Sequence, residues 1–345
     1  MSPLIFMILS STLVTSTIIT MSSNHWLMAW VGLELNTLSI LPIIMKHHHP
    51  RATEAATKYF LIQAMAAAWI LFASTINAWQ TGHWSITNTT NPTATTIITV
   101  ALLLKLGLAP IHAWYPEVLQ GSTFNTAMIM STWQKLAPLT LLYMTNANCP
   151  TNMLLLLGVL SALVGGWAGL NQTQTRKIMA LSSIAHMGWL IIALTTNLST
   201  TTMALMVYMI LTTSMFTSLK TLSAKGLMDT STLWSLSPTL TIMMMITLMS
   251  LGGLPPLTGF APKWLIMNHL INTKLVYITI TLALATLPSL FFYVRLAYLT
   301  TLTTPPTTTI TKHNWRFKTN HKQPMSWLLI LTMSLLPLTP MMLTT

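Results

Sequence analysis

Uncharged apolar runs of about 20 residues follow one another from Pro3 almost to the end of the chain, with no strict alternation of apolar and polar positions. A hydrocarbon core of ~30 Å needs about 20 residues of helix, so each run reads as a spanning helix. The pattern predicts eleven, near 3–21, 25–45, 55–79, 94–119, 124–145, 151–171, 176–196, 200–222, 238–271, 275–300 and 324–343. Runs of this length without alternation exclude a β-barrel. The fold class is all-α, a polytopic membrane protein with 11 transmembrane helices.

Prolines interrupt this pattern. Pro110 falls inside 94–119 and Pro255-Pro256 inside 238–271. Proline has no N–H to donate and collides with the carbonyl four residues back, so both helices are predicted to break. Pro138 is expected to distort the span 124–145 in the same way. A break at membrane depth survives only where protein or a water-filled cavity satisfies the freed backbone.

The two broken segments repeat each other. GLAPIHAWYPE (107–117) and GLPPLTGFAPK (253–263) align without a gap at an offset of 146 residues, with Gly, Leu and two prolines identical. Five predicted spans separate them. Five is odd, so the copies are expected to lie inverted, the plan of many ion transporters. This predicts residues 1–150 as a first inverted five-helix repeat, 151–301 as a second, and 302–345 as a linker and an eleventh span.

Charge supports the count. Arg51 and Lys58 follow the second span, Arg176 and Lys177 the sixth, and Lys220, Lys225 and Asp229 the eighth. Lys312, Arg316, Lys318 and Lys322 follow the tenth, whereas the loops after the odd-numbered spans hold only Lys274. With eleven spans every basic cluster lies on one side, as cytoplasmic or matrix loops require. The N-terminus then shares the basic side, and the C-terminus lies opposite.

Composition narrows the function. Asp, Glu, Lys and Arg make up 20 of 345 residues, and the net charge is +12. The basic residues are divided between apolar runs and short loops, so no basic face exists for nucleic acid. Cys149 is the only cysteine, which excludes an iron–sulfur cluster held by several thiolates of this chain. No dinucleotide fingerprint, P-loop or HExxH string is present. His47, His48 and His49 are adjacent and cannot all converge on one ion, so no metal site is assigned. Abundant Met and Thr with few acids suggest synthesis inside an organelle.

Four charges nevertheless sit inside apolar runs: Glu34, Lys105, Lys135 and Lys263. An ionised side chain at mid-bilayer costs ~2.5–3.5 kcal/mol on insertion scales, and such residues mark pathways for ions or protons. A lysine held between an apolar surrounding and a carboxylate can exchange its proton, as arginine cannot. The four are read as a proton relay in which Glu34 switches Lys105, against the plainer alternative of a static buried pair with snorkelling lysines. His112, just after the first break, and His186, mid-span beside Ser182 and Ser183, are candidate additional relays. Lys58, Lys220 and Arg295 lie nearer predicted ends and read as anchors.

At these residues a family becomes recognisable. PRATEAATKYFL (50–61), KLGLAPIHAWYPEVLQG (105–121), TWQKLAPL (132–139), GLNQTQTRKIMALSSIAHMGW (169–189) and SLGGLPPLTGFAPKW (250–264) carry the match. Over essentially its whole length the chain resembles the chain 2 family of NADH–ubiquinone oxidoreductase, mitochondrial respiratory complex I. The resemblance implies an antiporter-like membrane-arm subunit of the inner membrane that lacks the first three helices of the usual antiporter plan. It implies that Glu34 and Lys105 form the family's switch pair, with Lys135 the central lysine and Lys263 the terminal one. NADH, FMN, iron–sulfur clusters and ubiquinone would reside on other subunits, so this chain is part of the translocating NADH:ubiquinone reductase without a redox centre of its own. Partners would be other membrane-arm subunits, including neighbouring antiporter-like ones, and a lipid such as cardiolipin. Two other function classes compete: a self-contained cation/proton antiporter, and a structural subunit without a proton path.

Overall fold

The structure is a computed structural model that describes residues 2–45 and 49–303, together with 309, 313, 330–332, 334–337 and 339–340. His47 and His48, most of the 302–323 linker and most of the eleventh predicted span lie outside the described residues. Chain contacts divide the molecule into two compact units, Met1–Ser161 and Ala162–Thr345.

The first unit holds α1 (Pro3–Ser22), α2 (Trp26–Ile44), α3 (Pro50–Thr81), α4 (Pro92–Leu106), α5 (Trp114–Gly121), α6 (Phe124–Ser131) and α7 (Leu136–Thr145). The unit boundary falls within α8 (Thr151–Gly169). The second unit continues with α9 (Thr175–Thr196), α10 (Leu198–Thr221), α11 (Leu227–Ser231), α12 (Leu233–Leu236), α13 (Pro238–Gly252), α14 (Phe260–Asn272) and α15 (Val276–Thr301). No strand occurs among the described residues. Among the described residues seven helices (α1, α2, α3, α8, α9, α10 and α15) are long and apolar enough to cross a bilayer.

Lipid offers no solvent to drive helices together, so packing relies on close backbone approach and small residues. In the first unit α1 and α2 meet at Gly32, where an added Cβ would lie 2.5 Å from Thr20 Cγ2. In the second unit Gly165 approaches the backbone of α9 at Leu181 and Ala185, and Gly166 approaches that of α15 at Ala285. Helix α9 is the most enclosed of the seven, packed by α10, α14 and α15. The hydroxyls buried in these helices mostly donate to carbonyls of their own helix, as Ser182 does to Met179 and Ser183 to Ala180, which removes the cost of an unpaired polar group.

Helices α4 and α13 have 15 residues each, ~22 Å at 1.5 Å per residue, too short to cross the hydrocarbon alone. Their boundaries repeat at the offset seen in sequence. Pro92 and Pro238 start them, Gly107 and Gly253 follow them, and Trp114 and Phe260 begin the second halves. Gly107 (φ 75°) and Gly253 (φ 84°) adopt the left-handed conformation that terminates a helix most readily in glycine. Leu108 N–H then donates to Leu103 O at 3.1 Å, and Leu254 N–H to Met249 O at 3.4 Å.

The prolines lie in or next to the interruptions, but a glycine or a 3₁₀ turn marks where the helix stops. α4 ends before Gly107, three residues ahead of Pro110, because the glycine closes the helix and the proline only occupies the connection. Pro255 and Pro256 are likewise in the connection after α13, exposed. Pro138 lies in the first turn of α7, where its missing donor is harmless. The distortion falls upstream, in a 3₁₀ turn over Trp133–Lys135. Residue 134 supplies the carbonyl that the Pro138 ring would otherwise strike.

Candidate functional site

Each unit places lysine beside its interrupted backbone. In the first, Lys105 lies in the last turn of α4 and Lys135 ends the 3₁₀ turn, 8% and 3% exposed respectively. Both line one cavity of about 20 Å³, room for a water molecule. Lys135 Nζ lies 4.8 Å from the centroid of the Tyr115 ring, within cation–π range. Gln134, its neighbour, donates to Asn36 Oδ1 at 2.9 Å and ties the turn to α2.

Lys105 is held by α3. Its ammonium donates to the main-chain carbonyl of Gln63 at 3.4 Å, while the Gln63 side-chain amide donates to the Lys105 carbonyl at 3.3 Å. Glu34 is half-buried on α2, one turn before Thr37, which lines the same cavity. No direct ion pair joins Glu34 to Lys105, and Glu34 Oε2 is buried without a hydrogen-bond partner. The two expected members of the switch therefore stand apart in this structure.

In the second unit Lys263 occupies the first turn of α14, 8% exposed. It donates to Gly252 O at 2.9 Å and Leu251 O at 3.4 Å, the final carbonyls of α13. Helix C-termini carry unpaired carbonyls and partial negative charge, both of which an ammonium relieves. His186 and Lys263 line one cavity of about 30 Å³. The His186 Nε2 lies 3.4 Å from the Tyr293 hydroxyl, and its ring tilts against Tyr208 at 5.7 Å. Beyond the break, Thr258 Oγ1 donates to Thr332 O at 2.9 Å, so the described helical turn 330–332 packs here.

The structure thus brings Lys105 and Lys135 together, and Lys263 with His186. His112 is elsewhere: half-buried, it turns its Nδ1 to Pro110 O at 3.1 Å, within its own connection. Sequence reasoning passed over Gln63, Asn36, Gln134, Tyr115, Tyr208 and Tyr293. A glutamine midway along an apolar helix was the one signal that could have found Gln63.

The anchor residues also gain partners. Lys58 bridges Glu54, one turn away on α3, and Glu117 of α5 at 2.6 Å, joining two of the chain's four acids. Arg295 donates to Leu170 O at 3.0 Å, just past the end of α8. His49 Nδ1 caps α3 by accepting from Arg51 N–H. The Lys58 bridges are well exposed, so Lys58→Ala is expected to lower thermal stability slightly, and the difference to shrink further in high salt. A large, salt-independent loss on a melting curve would contradict that.

Comparison with known proteins identifies the family. The family described as NADH:quinone oxidoreductase/Mrp antiporter, TM, matches residues 23–289, and NADH dehydrogenase subunit 2 C-terminus matches 290–343. NADH-ubiquinone oxidoreductase chain 2 of Carassius auratus is 54% identical over 345 residues, covering 100% of this chain and 99% of that protein. The Xenopus laevis chain 2 is 49% identical with full coverage of both. Among solved structures, a chain of respiratory complex I from Thermus thermophilus superposes with a TM-score of 0.87 at 26% identity, covering 100% of this chain and 81% of that one. A chain of the Mrp complex from Dietzia sp. DQ12-45-1b has the same fold, with a TM-score of 0.86 at 14% identity over 97% of this chain and 75% of its own. The chain belongs to the NADH:quinone oxidoreductase/Mrp antiporter family, among the NADH-ubiquinone oxidoreductase chain 2 proteins.

Proposed function

We propose that this chain is a proton-translocating membrane-arm subunit of respiratory complex I in the mitochondrial inner membrane. Eleven spans arranged as two inverted five-helix repeats fit the two contact units and the 146-residue offset of their breaks. The N-terminus lies on the matrix side, with the basic loops, and the C-terminus on the intermembrane-space side. The observation that carries the reading is the placement of Lys105 and Lys135 on one water-sized cavity beside interrupted helices, in a chain 54% identical to a complex I subunit.

Each unit contributes a half-path. Lys105 and Lys135 take up and pass protons in the first, with Glu34 as the switch that retains the proton when paired to Lys105. Lys263, with His186 beside it, serves the second. The chain's single cysteine supports electron transfer from NADH through FMN and iron–sulfur clusters to ubiquinone on other subunits, so redox energy reaches this chain through neighbouring antiporter-like subunits. The three lysines outnumber Glu34, the one acid deep in a predicted span, which favours a proton relay over a free-standing cation antiporter.

The test is turnover-coupled proton pumping by intact complex in liposomes, with Lys105, Lys135 and Lys263 each replaced by alanine. A positioned proton-transfer group contributes ~10²–10⁴-fold to rate, so each variant is expected to lose coupled pumping by tenfold or more. Unchanged turnover and proton yield in all three reduces the chain to a structural subunit.

A further inference from the structure

We propose that Gln63 is the positioning residue of the first lysine cavity: it holds Lys105 on α3 and away from the Glu34 carboxylate. The inference rests on the relay reading above and adds a residue that sets the state of its switch.

Gln63 is 4% exposed, far from either end of the 32-residue α3. It grips Lys105 at two points, since its side-chain amide donates to the Lys105 carbonyl and its own carbonyl receives the Lys105 ammonium. The Lys105 carbonyl is one of the terminal carbonyls of α4, which lose helical donors once the chain turns at Gly107. Gln63 is therefore the cap of the first break as well as the seat of the lysine.

The second break supports this assignment independently. Position 251 is equivalent to 105 at the 146-residue offset, and the Leu251 carbonyl also accepts from a side chain outside its helix, the Lys263 ammonium. Both breaks thus need a donor at the same carbonyl. In the second unit that donor is the charged lysine itself, so discharging Lys263 weakens the cap. In the first unit a neutral amide does the work, so the end of α4 keeps its cap whatever Lys105 carries. Lys105 can then move its ammonium between the Gln63 carbonyl and a carboxylate that has an unpartnered oxygen, Glu34 Oε2, without unwinding the helix it belongs to.

Gln63→Leu in intact complex, reconstituted in liposomes, removes the amide donor and keeps the volume. The Gln63 main-chain carbonyl stays, but with the Lys105 carbonyl uncapped the last turn of α4 loosens and carries the Lys105 ammonium off that carbonyl toward Glu34. Pumping is expected to fall about tenfold, and the alkaline limit of the pumping–pH profile to move to higher pH, because a lysine against a carboxylate keeps its proton longer. Gln63→Met carries the same test if the leucine variant does not assemble. A native rate overturns the proposal, and so does a lowered rate with an unmoved pH profile, which is the mark of damaged packing alone. Lys105→Ala in the same preparation separates the two readings. If it pumps normally the relay itself fails; if it stops while Gln63→Leu pumps as wild type, only the positioning role fails.

Discussion

Lys263→Met is expected to stop proton translocation and to loosen the second break, whereas Lys263→Gln stops translocation and loosens the break less. The ammonium serves two purposes that these substitutions separate. In the relay proposed above it must gain and lose a proton, which neither methionine nor glutamine can do, so both variants should lose pumping by about a hundredfold or more. As a cap it donates to Gly252 O and Leu251 O. Methionine leaves those carbonyls orphaned in a buried setting, at about 1–3 kcal/mol, and removes the positive charge from a helix C-terminus. Glutamine also loses the charge, but it keeps an N–H donor on a chain one bond shorter, the kind of donor Gln63 supplies at the equivalent carbonyl of the first unit. Thermal inactivation of the assembled complex is the readout for stability, and liposome pumping the readout for relay. Equal stability of the two variants would show that Lys263 caps nothing; a pumping glutamine variant would remove the amine from the path.

Seven of the eleven expected spans were legible as helices long and apolar enough to cross a bilayer among the described residues, because hydrocarbon thickness imposes a length that few other constraints mimic. The breaks were legible because glycine and proline recur at one offset, and the prolines lie inside them, a few residues past the helix ends. Pro110 draws the eye, but Gly107 ends α4, since a left-handed residue satisfies terminal carbonyls and proline merely cannot continue a helix. Pro138 acts at a distance of one turn for a steric reason, moving the irregularity to Trp133–Lys135.

The charged members of the site announced themselves through their cost in an apolar run. Their neutral partners did not. Asn36, Gln134 and Tyr208 are individually ordinary in a chain rich in polar uncharged residues, most of which simply return hydrogen bonds to their own helices. Only packing says which of them share a cavity with lysine. Glu34 and Lys105 were expected as a pair, but residue types alone do not say whether a switch is closed. Here Gln63 takes the ammonium and the carboxylate stands off.

Gly259→Ala should be the most damaging single methyl group in the second unit. Gly259 has ordinary right-handed dihedrals (φ −69°, ψ −12°), so alanine suffers no backbone strain there. The obstacle is space: a Cβ would meet the carbonyl oxygen of Ser250, in the last turn of α13, at 1.8 Å. Backbone cannot rotate away as a side chain would, so the start of α14 must withdraw from the end of α13. That carries off Lys263 from the carbonyls it caps and opens the cavity it shares with His186. Losses above ~4–5 kcal/mol belong to a short list of causes, of which overpacking against fixed backbone is one, and this substitution should reach that range. Gly82→Ala is the matched control. Its φ of 73° costs an alanine only ~1–2 kcal/mol, with nothing within 4 Å of the new methyl. The first break carries Ala113 at the position equivalent to Gly259, so the tight approach is particular to the second. The yield and melting temperature of assembled complex would report the difference: Gly82→Ala close to wild type, Gly259→Ala largely absent. A Gly259→Ala complex that assembled and pumped normally would mean that α13 and α14 do not meet as closely as this, and the capping role of Lys263 would go with them.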